Sequence, residues 1–186
     1  MQERFEETFI HHCAPTLAGH KAGSLFCWRV QGDDLTGRLK ALEQELAHKG
    51  VRIRQLCRCE QARQVYVYRP AMLAALLRQS EVARFLKGLG YHSLEDTESV
   101  LEQLFSRFQA QPLFPHEVGL FLGYPLADVQ GFMEHGGRNY LIKGPWKVYA
   151  EAEEGRRRFD LFLKCREVYL RRYREGRPIA RLTVAA

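Results

Sequence analysis

The apolar pattern of this chain changes period at Pro70. Ahead of it, Val51-Arg52-Ile53-Arg54 and Val65-Tyr66-Val67-Tyr68 alternate as half-buried strands do, and the polar stretch Arg58 to Gln64 between them predicts a hairpin. Beyond it, apolar residues recur at three- and four-residue spacing, the signature of amphipathic helices. A chain with both periods is neither a β-barrel nor a helical bundle; it is α+β, with helices packed on a small sheet.

Local signals place the elements. Residues 3–12 read as a short helix, and Pro15 fits the first turn of a second one through about Ser24. Leu25 to Val30 is β-prone. Asp33 or Asp34 can cap a helix carrying Leu35, Leu39, Leu42 and Leu46, which Gly50 stops. Helices follow at 70–78, 80–87, 94–109, 115–122, 125–135 and 152–175, and Trp146 to Tyr149 adds a fourth strand. The expectation is a mostly antiparallel sheet of about four strands with about eight helices. It forms a single domain over 1–186, with a strand-containing part at 1–69 plus 145–150 and a helical part at 70–140 and 152–175.

Composition narrows the function classes. With 46% hydrophobic and 27% charged residues the chain is an ordinary globular one. It has no apolar run long enough to span a membrane, and its acidic beginning lacks the apolar stretch of a signal peptide. Five cysteines without a Cys-x-x-Cys pair read as reduced thiols in a cytoplasmic protein. The formal charge of +6 raises nucleic acid as a partner, but residues 138–186 hold 13 Lys plus Arg against 6 Asp plus Glu, so the whole excess lies in the last quarter. Within it, Glu153–Arg157, Glu154–Arg158, Asp160–Lys164 and Glu167–Arg171 are spaced as i,i+4 pairs, leaving Arg171, Arg172, Arg174 and Arg177 as an uncompensated end.

Two stretches carry candidate chemistry. In His11-His12-Cys13-Ala14-Pro15-Thr16, Cys13 precedes an expected helix start, where unpaired N–H groups would stabilise a thiolate, with His12, Thr16 and Lys21 nearby. The competing reading is a small buried hydrophobe at a tight junction, to which Ala18, Gly19, Ala22 and Gly23 also point. In Phe114-Pro115-His116-Glu117-Val118-Gly119, continuing to Phe132, His116 and Glu117 suit a general base with its orienting carboxylate, or two metal ligands. They equally suit plain helix-start chemistry after Pro115. The same stretch is spaced as a helix-turn-helix, with Gly123 at the turn, Gly119 four residues earlier, and Val129 and Phe132 as packing positions. Its second helix offers Asp128 and Glu134 where a DNA reader needs Arg, Lys or Asn, so it is taken as a packing hairpin and nucleic acid is not the expected partner.

These motifs resemble a bacterial domain family common in anaerobic Firmicutes that has no assigned activity. The likeness rests on His12-Cys13-Ala14-Pro15-Thr16-Leu17-Ala18-Gly19 with Lys21 and on Phe114 to Pro125. It continues through Asp128-Val129, Gly131-Phe132, Trp146-Lys147-Val148-Tyr149 and Leu182-Thr183-Val184-Ala185. The resemblance implies a cytosolic single-domain protein, and the gene neighbourhood of such proteins implies iron or redox physiology. The expectation is therefore a protein that binds a small ligand, a metal, or a redox or iron-handling partner. Cys13, His116 and Glu117 are its candidate catalytic residues, and His12, Thr16, Lys21, Tyr124, Asp128 and Lys147 its candidate binding residues. A thiol enzyme with Cys13 as nucleophile and His116 as base is the rival, and nucleic-acid binding the third reading. The sequence names no cofactor and no metal.

Overall fold

Phe5, Phe9, Ile10, Cys13, Ala14 and Leu17 make a stripe at helical spacing, and all are buried on one helix, α1 (Phe5–Leu17). The computed structural model describes residues 5–29, 34–58, 62–110 and 114–185. Glu3, Arg4, Val30, Asp33 and Cys59, which the sequence reading used, lie outside them. One helix stands where two were expected over 3–12 and 15–24: it ends at Leu17, with Gly23 and Ser24 already in a strand, and Pro15 sits in its last turn rather than a first one. There the ring deletes a single hydrogen bond to the His11 carbonyl, a small loss beside the burial of Cys13, Ala14 and Leu17 around it.

The chain divides into two compact units, Met1–Leu73 with Cys165–Ala186, and Ala74–Lys164. In the first, β1 (Gly23–Arg29), β2 (Arg52–Arg58) and β3 (Ala62–Tyr68) form an antiparallel sheet in the order β1-β3-β2. The expected hairpin is β2–β3, and the register slips between Gln55 and Cys57 at a bulge. Phe26 lies opposite Val65, and Ile53 opposite Val67, so one face meets α1 and α2 (Leu35–Ala47) across the core. Asp34 caps α2, accepting from the Gly37 N–H at 2.9 Å. β3 is central and buried on its other face as well, where the Tyr66 and Tyr68 rings stack at 5.0 Å.

The same unit contains the last residues of a 23-residue helix, here numbered α8 (Ala152–Arg174), and a short helix that the sequence reading did not foresee, α9 (Ile179–Leu182). Cys165, Tyr169 and Ile179 complete its core. α3 (Pro70–Leu77), with proline at its first position, crosses the boundary between units. The second unit holds α4 (Ser80–Gly88), α5 (Thr97–Ala110), α6 (Val118–Phe121), α7 (Leu126–His135) and the first part of α8. The fourth strand is present as β5 (Lys147–Val148), but it pairs with β4 (Ile142–Lys143) in a separate two-stranded ribbon and not with the main sheet.

Arg69, at the junction of β3 and α3, ties the first unit together. Its guanidinium donates from Nε to the Thr16 carbonyl at 2.6 Å, and from Nη2 to Leu17 and Val184 at 2.7 Å each. Nη1 reaches Lys49 at 3.3 Å. Thr16 and Leu17 end α1, where carbonyls beyond the reach of the helix's own N–H groups and the helix dipole both favour a cation. Arg69→Met removes all four of these hydrogen bonds, and we expect it to cost about 3 kcal/mol or more in chemical denaturation, most of it unrecovered by Arg69→Lys, which lacks the planar fork.

Candidate functional site

The information-rich stretch folds as the expected helical hairpin. Gly123 makes the turn with φ +79°, a conformation that side chains resist. Gly119 lets α6 and α7 close up: a Cβ there would stand 2.8 Å from Val129 Cγ2. Pro125 stands at the N-cap of α7, and Asp128 lies in its first turn.

Asp128 is buried and its carboxylate is fully occupied. One oxygen accepts the Trp146 indole N–H at 2.7 Å; the other accepts the backbone N–H of Tyr149 at 2.7 Å and of Ala150 at 3.3 Å. This latch fastens the β4–β5 ribbon to α7. Trp146 in turn stacks on Tyr124 (4.7 Å between centroids, 21° between planes) and meets Phe159 edge-on at 4.6 Å. Burial pushes the Tyr124 phenol up to about 12.

Between hairpin and ribbon lies a cavity of about 420 Å³, within the usual range for ligand pockets. Val118, Leu122, Val129, Phe132, Pro145 and Trp146 supply most of its apolar wall, and Phe114, His116, Tyr124, Lys143 and Lys147 also line it. His116 is exposed and presents its ring edge-on to Phe132 at 4.9 Å. The Lys147 ammonium donates to the Gly137 carbonyl at 2.6 Å and lies 5.7 and 5.1 Å from the Phe132 and Tyr140 ring centres.

Glu117 turns elsewhere. Its buried carboxylate accepts from the Tyr91 hydroxyl at 3.1 Å and from Arg107 Nη1 at 3.4 Å. The Arg107 guanidinium lies 4.4 Å over the Tyr91 ring and also donates to the Leu89 carbonyl. Burial, then the Glu117 charge, drives the Tyr91 phenol well above its usual range. This cluster fastens the start of α6 to the loop after α4 and to α5.

The remaining candidates belong to the first unit. Cys13 is fully buried inside α1, so no helix N-terminus serves it, and burial pushes its thiol up, away from the thiolate. Burial lowers Lys21 to about 8, partly offset by Cys13. Thr16 Oγ1 bonds Ser24 Oγ at 2.8 Å, and His12 stacks on Phe26 at 5.3 Å. The structure thus brings His116, Tyr124, Asp128 and Lys147 to one cavity, but not Glu117, which faces Arg107.

Sequence reasoning missed Phe114, Phe132 and Lys143 as lining residues; the signal for Lys143 was a Gly-Pro turn bracketed by lysines, Lys143-Gly144-Pro145-Trp146-Lys147. The arginine end is also better answered than its spacing suggested: Arg172 pairs with Glu175 at 3.0 Å and Arg174 with Glu7 at 3.2 Å. Among the described residues no group of three or more His, Cys, Asp or Glu side chains is placed to hold a metal ion, and no helix is long and apolar enough to cross a membrane.

A family model described as "Protein of unknown function (DUF3793)" matches residues 9–183. No curated protein and no solved structure matches the chain.

Two predictions follow from these environments. Asp128→Ala frees the Trp146 N–H and two backbone N–H groups; we expect a loss of roughly 2 kcal/mol and red-shifted tryptophan emission. Lys21 has a folded pKa of about 8 against 10.5 in the unfolded chain, so the unfolded state binds more protons between those values and stability rises with pH there. Above about 9 the unfolded Cys13 ionises while the folded one does not, which pulls the other way. Denaturation at pH 7.5 and 9 should show a gain of at most about 1 kcal/mol that Lys21→Met lacks.

Proposed function

We propose that this chain, which belongs to the DUF3793 family of proteins of unknown function, binds a small molecule with a largely apolar body in the cavity between the α6–α7 hairpin and the β4–β5 ribbon. The observation that carries the reading is the cavity itself. Aliphatic and aromatic side chains wall it, a few polar groups stand at its edge, and the Asp128 latch and the Gly119 close approach hold it in shape. Of the ligand classes that the sequence raised, a small molecule suits such walls better than a metal ion, which needs converging His, Cys or carboxylate donors. His116, Tyr124 and Lys147 are the side chains through which a bound molecule would be recognised. Asp128 acts as a positioning residue, because its oxygens already accept three N–H donors.

Thiol catalysis draws less support. A nucleophilic cysteine needs access and a depressed pKa, and Cys13 has the reverse of both.

Nile red, an uncharged dye that brightens in apolar surroundings, tests the reading. We expect saturable binding to the full chain, reduced at least tenfold by Leu122→Phe and further by Leu122→Trp, which fill the cavity while far-UV circular dichroism stays unchanged. Equal dye binding by the filled variants would overturn it.

A further inference from the structure

The cavity's charge is lopsided in a way that its apolar walls do not require. Lys143 and Lys147 are directly opposed partners in the β4–β5 ribbon, and both line the cavity. Like charges across a strand pair repel. Among the described residues neither lysine forms an ion pair, and Lys147 has one hydrogen bond, to Gly137, leaving ammonium donors unused. The one acid in the lining, Asp128, gives its oxygens to Trp146, Tyr149 and Ala150. His116 stands on the same lining with its ring nitrogens in no hydrogen bond among the described residues.

Much of the aromatic surface is also taken, although Phe114 on the same lining is 47% exposed. Tyr124 covers one face of the Trp146 ring, Phe159 meets that ring edge-on, and His116 packs on Phe132. A flat ring system would find few free faces to stack on, whereas an alkyl chain fits the remaining surface of Val118, Leu122, Val129 and Pro145.

From the opposed lysines and the occupied ring faces, and resting on the pocket reading above, we infer that the ligand is an aliphatic carboxylate whose anionic end sits between Lys143 and Lys147 and whose chain fills the cavity. An anion there turns a cross-strand repulsion into two attractions. Binding therefore steadies the ribbon that forms the cavity wall.

Displacement of Nile red from the full chain at pH 7 by decanoate, 1-decanol and 2-naphthoate tests this. Decanoate should displace the dye at concentrations at least about tenfold below decanol, the factor expected of a charge-assisted hydrogen bond, and also below naphthoate, which carries the same charge on a flat ring system. Lys143→Met, an exposed change, should shrink the preference for decanoate over decanol while the dye itself still binds, Lys147→Met should shrink it as well, and added salt should weaken both carboxylates but not decanol. Equal potency of decanol and decanoate would overturn the anionic class, and superior naphthoate the aliphatic one; in either case the pocket reading stands. No dye binding at all, or decanoate displacement unchanged in the cavity-filled variants, removes the pocket reading and this inference with it.

Discussion

One buried guanidinium organises the sheet-bearing unit. Arg69 is 3% exposed, and four backbone carbonyls from three separate stretches, residues 16–17, 49 and 184, meet it. No single hydrogen bond among these is large, yet a buried cation without acceptors is prohibitive, so the stretches have to converge where Arg69 stands. Its own position is fixed from both sides. The Arg69 N–H donates to Ala22 at 2.9 Å, and its carbonyl accepts from Leu73 in the first turn of α3 at 3.0 Å. Helix end, turn, strand end and tail are thereby made to agree with one another, and the Val184 N–H returns the favour to Leu17 at 3.0 Å.

The second unit solves the same problem with carboxylates. Asp128 gathers a side-chain and two backbone donors, and Glu117 gathers a phenol and a guanidinium. Each is a buried carboxylate that protein donors already engage, so both hold the packing of this unit together. What is left over around the cavity is positive, and that residue of unanswered charge is where recognition can reside.

Much of this was legible in the residues. The strands, the hairpin and most helices followed from period, and Gly119, Gly123 and Val129 read correctly as a close-packed turn because their spacing is itself the geometry. Other things were not. Pro15 suggested a helix start because local propensity says so, and the buried stripe from Phe5 to Leu17 overrode it. That change also removed the helix N-terminus imagined for Cys13. Trp146–Tyr149 had the composition of a strand, but a strand's partner depends on tertiary placement, and this one found Ile142–Lys143. Arg69 left no trace at all, since a lone arginine before a proline has no periodic signature; only the folded backbone shows how many carbonyls reach it. The hydrogen bonds of Asp128 to Trp146, Tyr149 and Ala150 were not legible either, because a sequence cannot say whether a carboxylate's partners are protein or ligand.

The first unit is discontinuous: its core takes Phe9, Phe26 and Val65 from the first 73 residues and Cys165, Tyr169 and Ile179 from the last 22. During synthesis that core has to wait. The bond from Arg69 to Val184 spans 115 residues, so its acceptor leaves the ribosome only after the whole of Ala74–Lys164 has emerged. The second unit, by contrast, is continuous in the chain, and all of it has emerged before Cys165. The three strands, α1 and α2 all lie in the first 73 residues, so what waits for the end of synthesis is the closure of their core by Cys165, Tyr169 and Ile179.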